Sequence, residues 1–411
     1  MSLTVKRLNG DTTFLLTFNP QIAPSTTDSR FPGSYTILID PWLSGPSSVW
    51  TPRFQISHHT DPLAVKSLAK LDPPDLILIS QDKPDHCHRE TLCSLPRDSR
   101  IPILATAAAA KLIKSWTHFD PSLIASLRPY STKKPSSIHR IPLPAYSSAS
   151  APGELTIAYM PQKHDLTRLH NAIGLTYTPP STLTTTPSGH LVNLPLSPPA
   201  SPSSPHSPTS DRRTRSFSSL RSRSLENAAA MTPAPSTPGS RPPSRETEKT
   251  LSVLYTPHGV AYAAIKPYIT SFLTPLNALP LTALFHSINT EQNPWFMGGK
   301  VAAGYPGGLE ILRKVGACYW VGCHDEVKEN RGLATVLIRS GRFGVEEVQG
   351  IVEEMFLAGR GEGGNGNGNG GEKRDSGVSV GVKGEGGAGK RRGRVPIVVE
   401  VGVGEVMRIE G

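Results

Sequence analysis

Cysteine is scarce in this chain, with four in 411 residues at Cys87, Cys93, Cys318 and Cys323. So few thiols at those spacings exclude a dense disulfide framework and a zinc module built on two cysteine pairs. Cys318 and Cys323 are expected to fill core space. Long apolar runs are also lacking. No stretch of 18 apolar residues occurs, so no membrane-spanning helix is expected. The opening MSLTVKRLNGDTTFLLTF has no apolar stretch of the kind a secretory signal needs. These absences lead to the expectation of a reduced, intracellular protein, placed in the cytoplasm with the nucleus as second choice.

A net charge of +10 first suggests an anionic partner. Its location argues otherwise. Residues 181–248 hold seven Arg against four acids, and residues 359–394 hold eight Lys or Arg against four acids. Those two segments carry +7 of the +10. The remainder is near neutral, so nucleic acid is not an expected partner.

Proline and glycine concentrate in the same two places. Residues 181–248 contain 12 prolines among many Ser and Thr, and residues 359–389 contain 14 glycines. Neither has the apolar content to offset the entropy of ordering it. The expected organisation is one α/β domain split by a disordered insert: residues 1–180, the insert 181–248, then residues 249–411 with a flexible Gly-rich loop at 359–394. The insert carries Ser197-Pro198, Ser201-Pro202, Ser204-Pro205 and Ser207-Pro208, then Arg221-Ser222-Arg223-Ser224. Such runs suit proline-directed and basophilic kinases, so kinases or phospho-binding proteins are expected partners there.

Elsewhere strands and helices alternate irregularly. Tyr35–Asp40, Asp75–Ser80, Ile101–Ala105, Glu154–Tyr159, Ala172–Tyr177, Leu251–Tyr255, Ala283–Phe285 and Ala317–Gly322 read as strands. Ala64–Leu71, Arg89–Leu95, Ala107–Trp116, Gly307–Val315 and Val345–Leu357 read as helices. Pro396–Val401 and Val406–Glu410 read as a closing strand pair. The mixture favours a layered sandwich over a doubly wound sheet.

One arrangement stands out. His86, His164, His258, His286 and His324 each fall just after an expected strand, where loops of layered α/β folds carry chemistry. Imidazoles gathered at one sheet edge together with carboxylates suit zinc or iron.

The order Asp40-Pro41-Trp42, Ser80–His86, Pro161-Gln162-Lys163-His164, Gly259 and Val321-Gly322-Cys323-His324 resembles the metallo-β-lactamase superfamily. It is most similar to the branch of sugar-phosphate lactonases and N-acyl phosphatidylethanolamine phospholipase D. Leu169–Gly174 and Trp295–Gly299 look like a fungal subgroup of it. The resemblance spans the chain outside the insert and the Gly-rich loop. It implies a four-layered αβ/βα sandwich with the active site at one edge, between the sheets.

The motif of that family is S-H-x-H-x-D-H. Here Gln81 and Lys83 stand in the first two His places, while Asp85 and His86 match the last two. His164 matches the later His of the first metal site, and His324 the last His of the second. Pro257, followed by His258, stands at the bridging Asp. The resemblance therefore implies a damaged first site and a second site of Asp85, His86 and His324. One divalent metal, zinc by preference, is expected there, with His164 and His258 as further candidate ligands. Lys83, Asp85 and His164 are the expected catalytic residues, Lys83 standing in for the missing cation or acting as a base. The activity implied is hydrolysis of an ester, lactone or phosphoester of small-molecule size. The alternative is a retired active site serving as a binding or interaction module, with Lys83 paired to Asp82 or Asp85. Cys87 and His88 are read as a capped helix start.

Overall fold

Alternate residues of the strand Leu76–Ile79 enter two different cores. Leu76 and Leu78 join one buried cluster, whereas Ile77 and Ile79 join another. That is the period of two expected of a strand covered on both faces. A slip of one residue would exchange the two sets. Each buried Leu or Ile contributes about 1.5–3 kcal/mol, so packing fixes the register.

The computed structural model describes residues 1–21, 31–148, 150–185, 191–193, 250–361 and 395–411. Two seven-stranded sheets dominate it. The first runs Val406–Glu410, Ser2–Arg7, Phe14–Asn19, Tyr35–Ile39, Leu76–Ile79, Ile103–Ala105 and Ile124–Ser126. Its first three pairings are antiparallel and its last three parallel. The second runs Ile397–Val399, Ala317–Gly322, Leu281–His286, Leu251–Thr256, Asn171–Thr178, Gly153–Pro161 and Ile138–Leu143. It starts parallel and ends antiparallel.

Three apolar clusters lie between successive layers. One joins the inner faces of both sheets through Phe14, Phe18, Ile39, Leu78, Leu175, Tyr255 and Phe285. A second packs the outer face of the first sheet against the helix Ala107–Ser115 through Ile77, Ile79, Ala109 and Ile113. A third packs the outer face of the second sheet against Tyr262–Tyr268, Gly304–Val315 and Val345–Gly361. The result is the α/β, four-layered αβ/βα sandwich of the metallo-β-lactamase fold.

Two expectations about local structure are corrected. Ala64–Leu71 is not an amphipathic helix; only Leu68–Lys70 forms a 3₁₀ turn. With Leu68 as its one deeply buried residue, the segment gains too little packing to offset helix nucleation. Pro396–Val401 and Val406–Glu410 do not pair with each other. Ile397–Val399 closes the second sheet and Val406–Glu410 the first, since Val398 packs under the outer helices and Ile409 between the sheets. Within the insert, Leu183–Thr185 pairs antiparallel with Leu191–Asn193. The Ser-Pro and Arg-Ser runs and most of the Gly-rich loop lie outside the described residues. No helix among the described residues is long and apolar enough to cross a membrane, and no disulfide forms among them.

Candidate metal centre

Four strands end at one edge of the sandwich, and the loops after them build the site. After Leu76–Ile79 the chain turns back on itself. The Lys83 carbonyl accepts from the His86 and Cys87 amides at 3.0 and 2.7 Å, and this turn carries His86 inward. After Tyr35–Ile39, Asp40 adopts φ 44°, a backbone conformation uncommon outside glycine. Its buried carboxylate accepts from the Ser80 amide at 2.7 Å, the Tyr255 hydroxyl at 2.7 Å and His86 Nδ1 at 2.8 Å. After Leu251–Thr256 comes His258, whose Nδ1 lies 3.0 Å from the Val301 carbonyl. After Ala317–Gly322 comes His324, at φ 64°. Its Nδ1 is 2.9 Å from Asp11 Oδ1. Such left-handed backbone at Asp40 and His324 persists only where surrounding contacts hold it.

Ligand atoms of His86, His258 and His324 all lie within 4.8 Å of one another. All three residues are buried. Asp11, Asp85 and His324 form a second such group, sharing His324 with the first. Asp85 Oδ2 stands 4.0 Å from His86 Nε2.

Tautomers test whether this pocket fits a cation. Asp40 and the Val301 carbonyl are pure acceptors, so the Nδ1 atoms of His86 and His258 carry the protons. The two Nε2 atoms therefore face each other as lone pairs, 3.0 Å apart. Such a contact is repulsive unless a proton or a cation lies between them. Near His324, neither its Nδ1 nor Asp11 Oδ1 makes a hydrogen bond among the described residues, although the two are close. Each imidazole thus has one nitrogen set against a carboxylate or carbonyl and the other left over, the usual setting of a metal-bound histidine. The residues present fit a divalent metal.

With no ion present, the electrostatics favour a proton between the Nε2 atoms of His86 and His258, in the place a cation would take. Burial disfavours a charge on His86, but Asp85 and Asp40 outweigh it and raise its pKa. Burial and the neighbouring His324 and His86 hold His258 well below the usual imidazole range. Asp85 and Asp11 are both lowered despite burial, by His86 and Lys328 at the first and by His324 and Lys328 at the second.

The expected residues are not all brought together. His86, His258 and His324 meet, with Asp85 beside them. His164 is exposed, on the loop before Asn171–Thr178. The buried imidazole from that loop is His170 instead. Its Nδ1 is 3.0 Å from Asp165, and its Nε2 has no hydrogen-bond partner among the described residues. Lys83 lies outside the cluster, 31 % exposed, with its Nζ 3.7 Å from Asp82. Gln81 donates to the Leu169 carbonyl at 3.1 Å. His286 ends its strand beside the Trp320 ring, and its Nδ1 donates to the Ser287 carbonyl at 2.7 Å. His88 caps the short helix Arg89–Leu92, accepting from the Thr91 amide. Cys87 and Cys323 are core.

Two charged residues at the site escape sequence reasoning. Asp11 sits in the tight turn between the first two strands. Asn9 Oδ1 shapes that turn by accepting from the Asp11 and Thr13 amides at 3.0 and 2.9 Å. Lys328 follows the last site strand by six residues, and its Nζ is 2.9 Å from Asp11 Oδ2. A polar Asn-Gly-Asp-Thr-Thr run between two apolar strands was the available signal for Asp11. Nothing local marks Lys328.

Fold and site together define a class, the metallo-β-lactamase-fold proteins with a histidine-rich centre between the sheets. The family described as "Beta-lactamase superfamily domain" matches residues 35–184, a stretch that includes Asp40, Asp85, His86 and His170. This match supports the metallo-β-lactamase superfamily. No curated protein matches the chain.

Proposed function

We propose that the chain is a single-metal hydrolase of small esters, lactones or phosphoesters. The metal, zinc by the chemistry of its donors, would be held by His86, His258 and His324 with Asp85 beside them. The carrying observation is the trio of imidazoles whose Nδ1 atoms are set against Asp40, Val301 and Asp11, so that their remaining nitrogens are left for an ion. A divalent ion held there would supply Lewis acidity to a carbonyl or phosphoryl oxygen and would acidify a water. Asp40 fixes the tautomer of His86 and, through Ser80 and Tyr255, locks its own carboxylate in place. His170, oriented by Asp165 and near enough to His258 to act on its charge, is the residue this reading assigns to proton exchange with the substrate. The resemblance to the lactonase and phospholipase branch supports the choice of oxygen esters.

Metal content and hydrolysis test this reading together. About one equivalent of zinc, iron or manganese per chain is expected after growth with metals supplied, falling to near zero in a His86→Ala/His324→Ala double variant. Turnover of an activated ester, lactone or phosphodiester should fall with it. No metal in either protein would overturn the reading. A second reading, a non-catalytic binding module, is favoured by Lys83 and Gln81 being committed to Asp82 and Leu169. Bound metal without any turnover across the three ester classes would select it.

A further inference from the structure

The two ligand groups sharing His324 differ in one respect. The three-histidine group holds only imidazoles. The second group, Asp11, Asp85 and His324, already has a cation of the chain's own against it. Lys328 Nζ lies 2.9 Å from Asp11 Oδ2 and 4.0 Å from Asp85 Oδ2. Its side chain is only 11 % exposed, and its ammonium sits 5.5 Å from the centre of the buried Trp42 ring.

Resting on the proposed metal site, we propose that Lys328 is a built-in second cation: its ammonium occupies the Asp11–Asp85 place and restricts the centre to one metal ion. Removing the charge leaves two carboxylates and an imidazole, a donor set suited to a divalent ion. Asp11 Oδ1, buried and without a hydrogen bond among the described residues, is the carboxylate atom left over for it. Charge balance gives the reason for the lysine. Asp11 is fully buried and Asp85 half-buried, and two such carboxylates are costly without compensation. A lysine supplies one positive charge permanently, whatever the metal supply. It also keeps a directional N–H donor beside the three-histidine pocket, where an anionic substrate group would lie. The expected stand-in was Lys83. The geometry transfers that role to a residue from the opposite half of the chain.

Zinc stoichiometry decides the matter. The full-length protein and its Lys328→Met, Lys328→Gln and Lys328→Arg variants are loaded with excess Zn²⁺, desalted and assayed for metal per chain. One equivalent is expected in the wild type and in Lys328→Arg, which keeps the charge. Two are expected in Lys328→Met and Lys328→Gln. Lys328→Gln retains a donor for Asp11, so folding does not depend on the methionine variant alone. One equivalent in all four proteins overturns the inference and leaves the metal-site reading standing. Two equivalents in the wild type likewise overturn it. No zinc in any of them overturns both.

Discussion

At the scale of single residues, His286 illustrates how much a buried imidazole depends on its surroundings. It ends the strand Leu281–His286 with its Nδ1 bonded to the Ser287 carbonyl and its Nε2 buried without a partner among the described residues. Burial lowers its pKa from 6.5 to about 4. It is therefore neutral in the folded protein, while in the unfolded chain it takes up a proton as the pH falls below 6.5. Unfolding gains that proton, so the stability His286 allows is complete above pH 6.5 and is lost between 6.5 and 4. At pH 5 the loss is about 2 kcal/mol. In His286→Asn, whose amide can still donate to Ser287, urea midpoints at pH 7 and pH 5 should differ by correspondingly less than in the wild type. Equal differences in the two proteins would sink this account. The same residue shows a limit of sequence reading. Five histidines follow strands, yet three converge, because a strand end fixes where a residue starts and only its loop decides where the ring goes. His324 reaches the centre through a left-handed backbone and His164 leaves it through one, at φ 64° and 60°.

At the scale of elements, short apolar runs ending at turn residues made most of the strands legible. Leu76–Ile79, Asn171–Thr178, Leu251–Thr256 and Ala317–Gly322 all fall within two residues of their expected bounds. What such runs could not show was partnership: the last two strands look like a hairpin and belong to opposite sheets. The helix Tyr262–Tyr268 was not legible either, because Pro267 within it argues against a helix. Asp11 and Lys328 stayed hidden for the same reason as the strand partners. Their meeting depends on long-range pairing of sheets, and no local pattern records it. Close packing between elements supplies a prediction here. A Cβ at Gly308, on the helix Gly304–Val315, would clash with the ring of the fully buried Trp320. Trp320 cannot retreat freely, since its Nε1 donates to the His286 carbonyl at 3.0 Å. Alanine favours a helix over glycine by about 1 kcal/mol. Overpacking costs about 1–3 kcal/mol and should prevail. Gly308→Ala is expected to lower the urea midpoint, and an unchanged or raised midpoint would show that helix and sheet can separate slightly at no cost.

At the scale of the whole molecule, the sheets interleave the two halves of the chain. The first sheet takes its edge strand Val406–Glu410 from the far end, and the second joins Asn171–Thr178 to Leu251–Thr256 in register, with Tyr177 opposite Leu251. Those two strands flank the long intervening segment. The Thr178 and Thr250 hydroxyls are 3.1 Å apart, so the chain leaves and re-enters the sandwich at nearly one point. The site histidines divide across that point, His86 before it and His258 and His324 after it. A connection whose ends already meet can be shortened at little entropic cost, because loop closure changes by only about 0.6 kcal/mol per doubling of length. Replacing residues 182–249 with a short Gly-containing turn should therefore leave the fold and the zinc equivalent per chain unchanged, with a thermal midpoint equal to or above that of the full chain. Loss of zinc on this excision, with the fold retained by circular dichroism, would instead place part of the centre's support within the excised residues. Loss of the fold itself would show that the sandwich needs them to bring its two halves together.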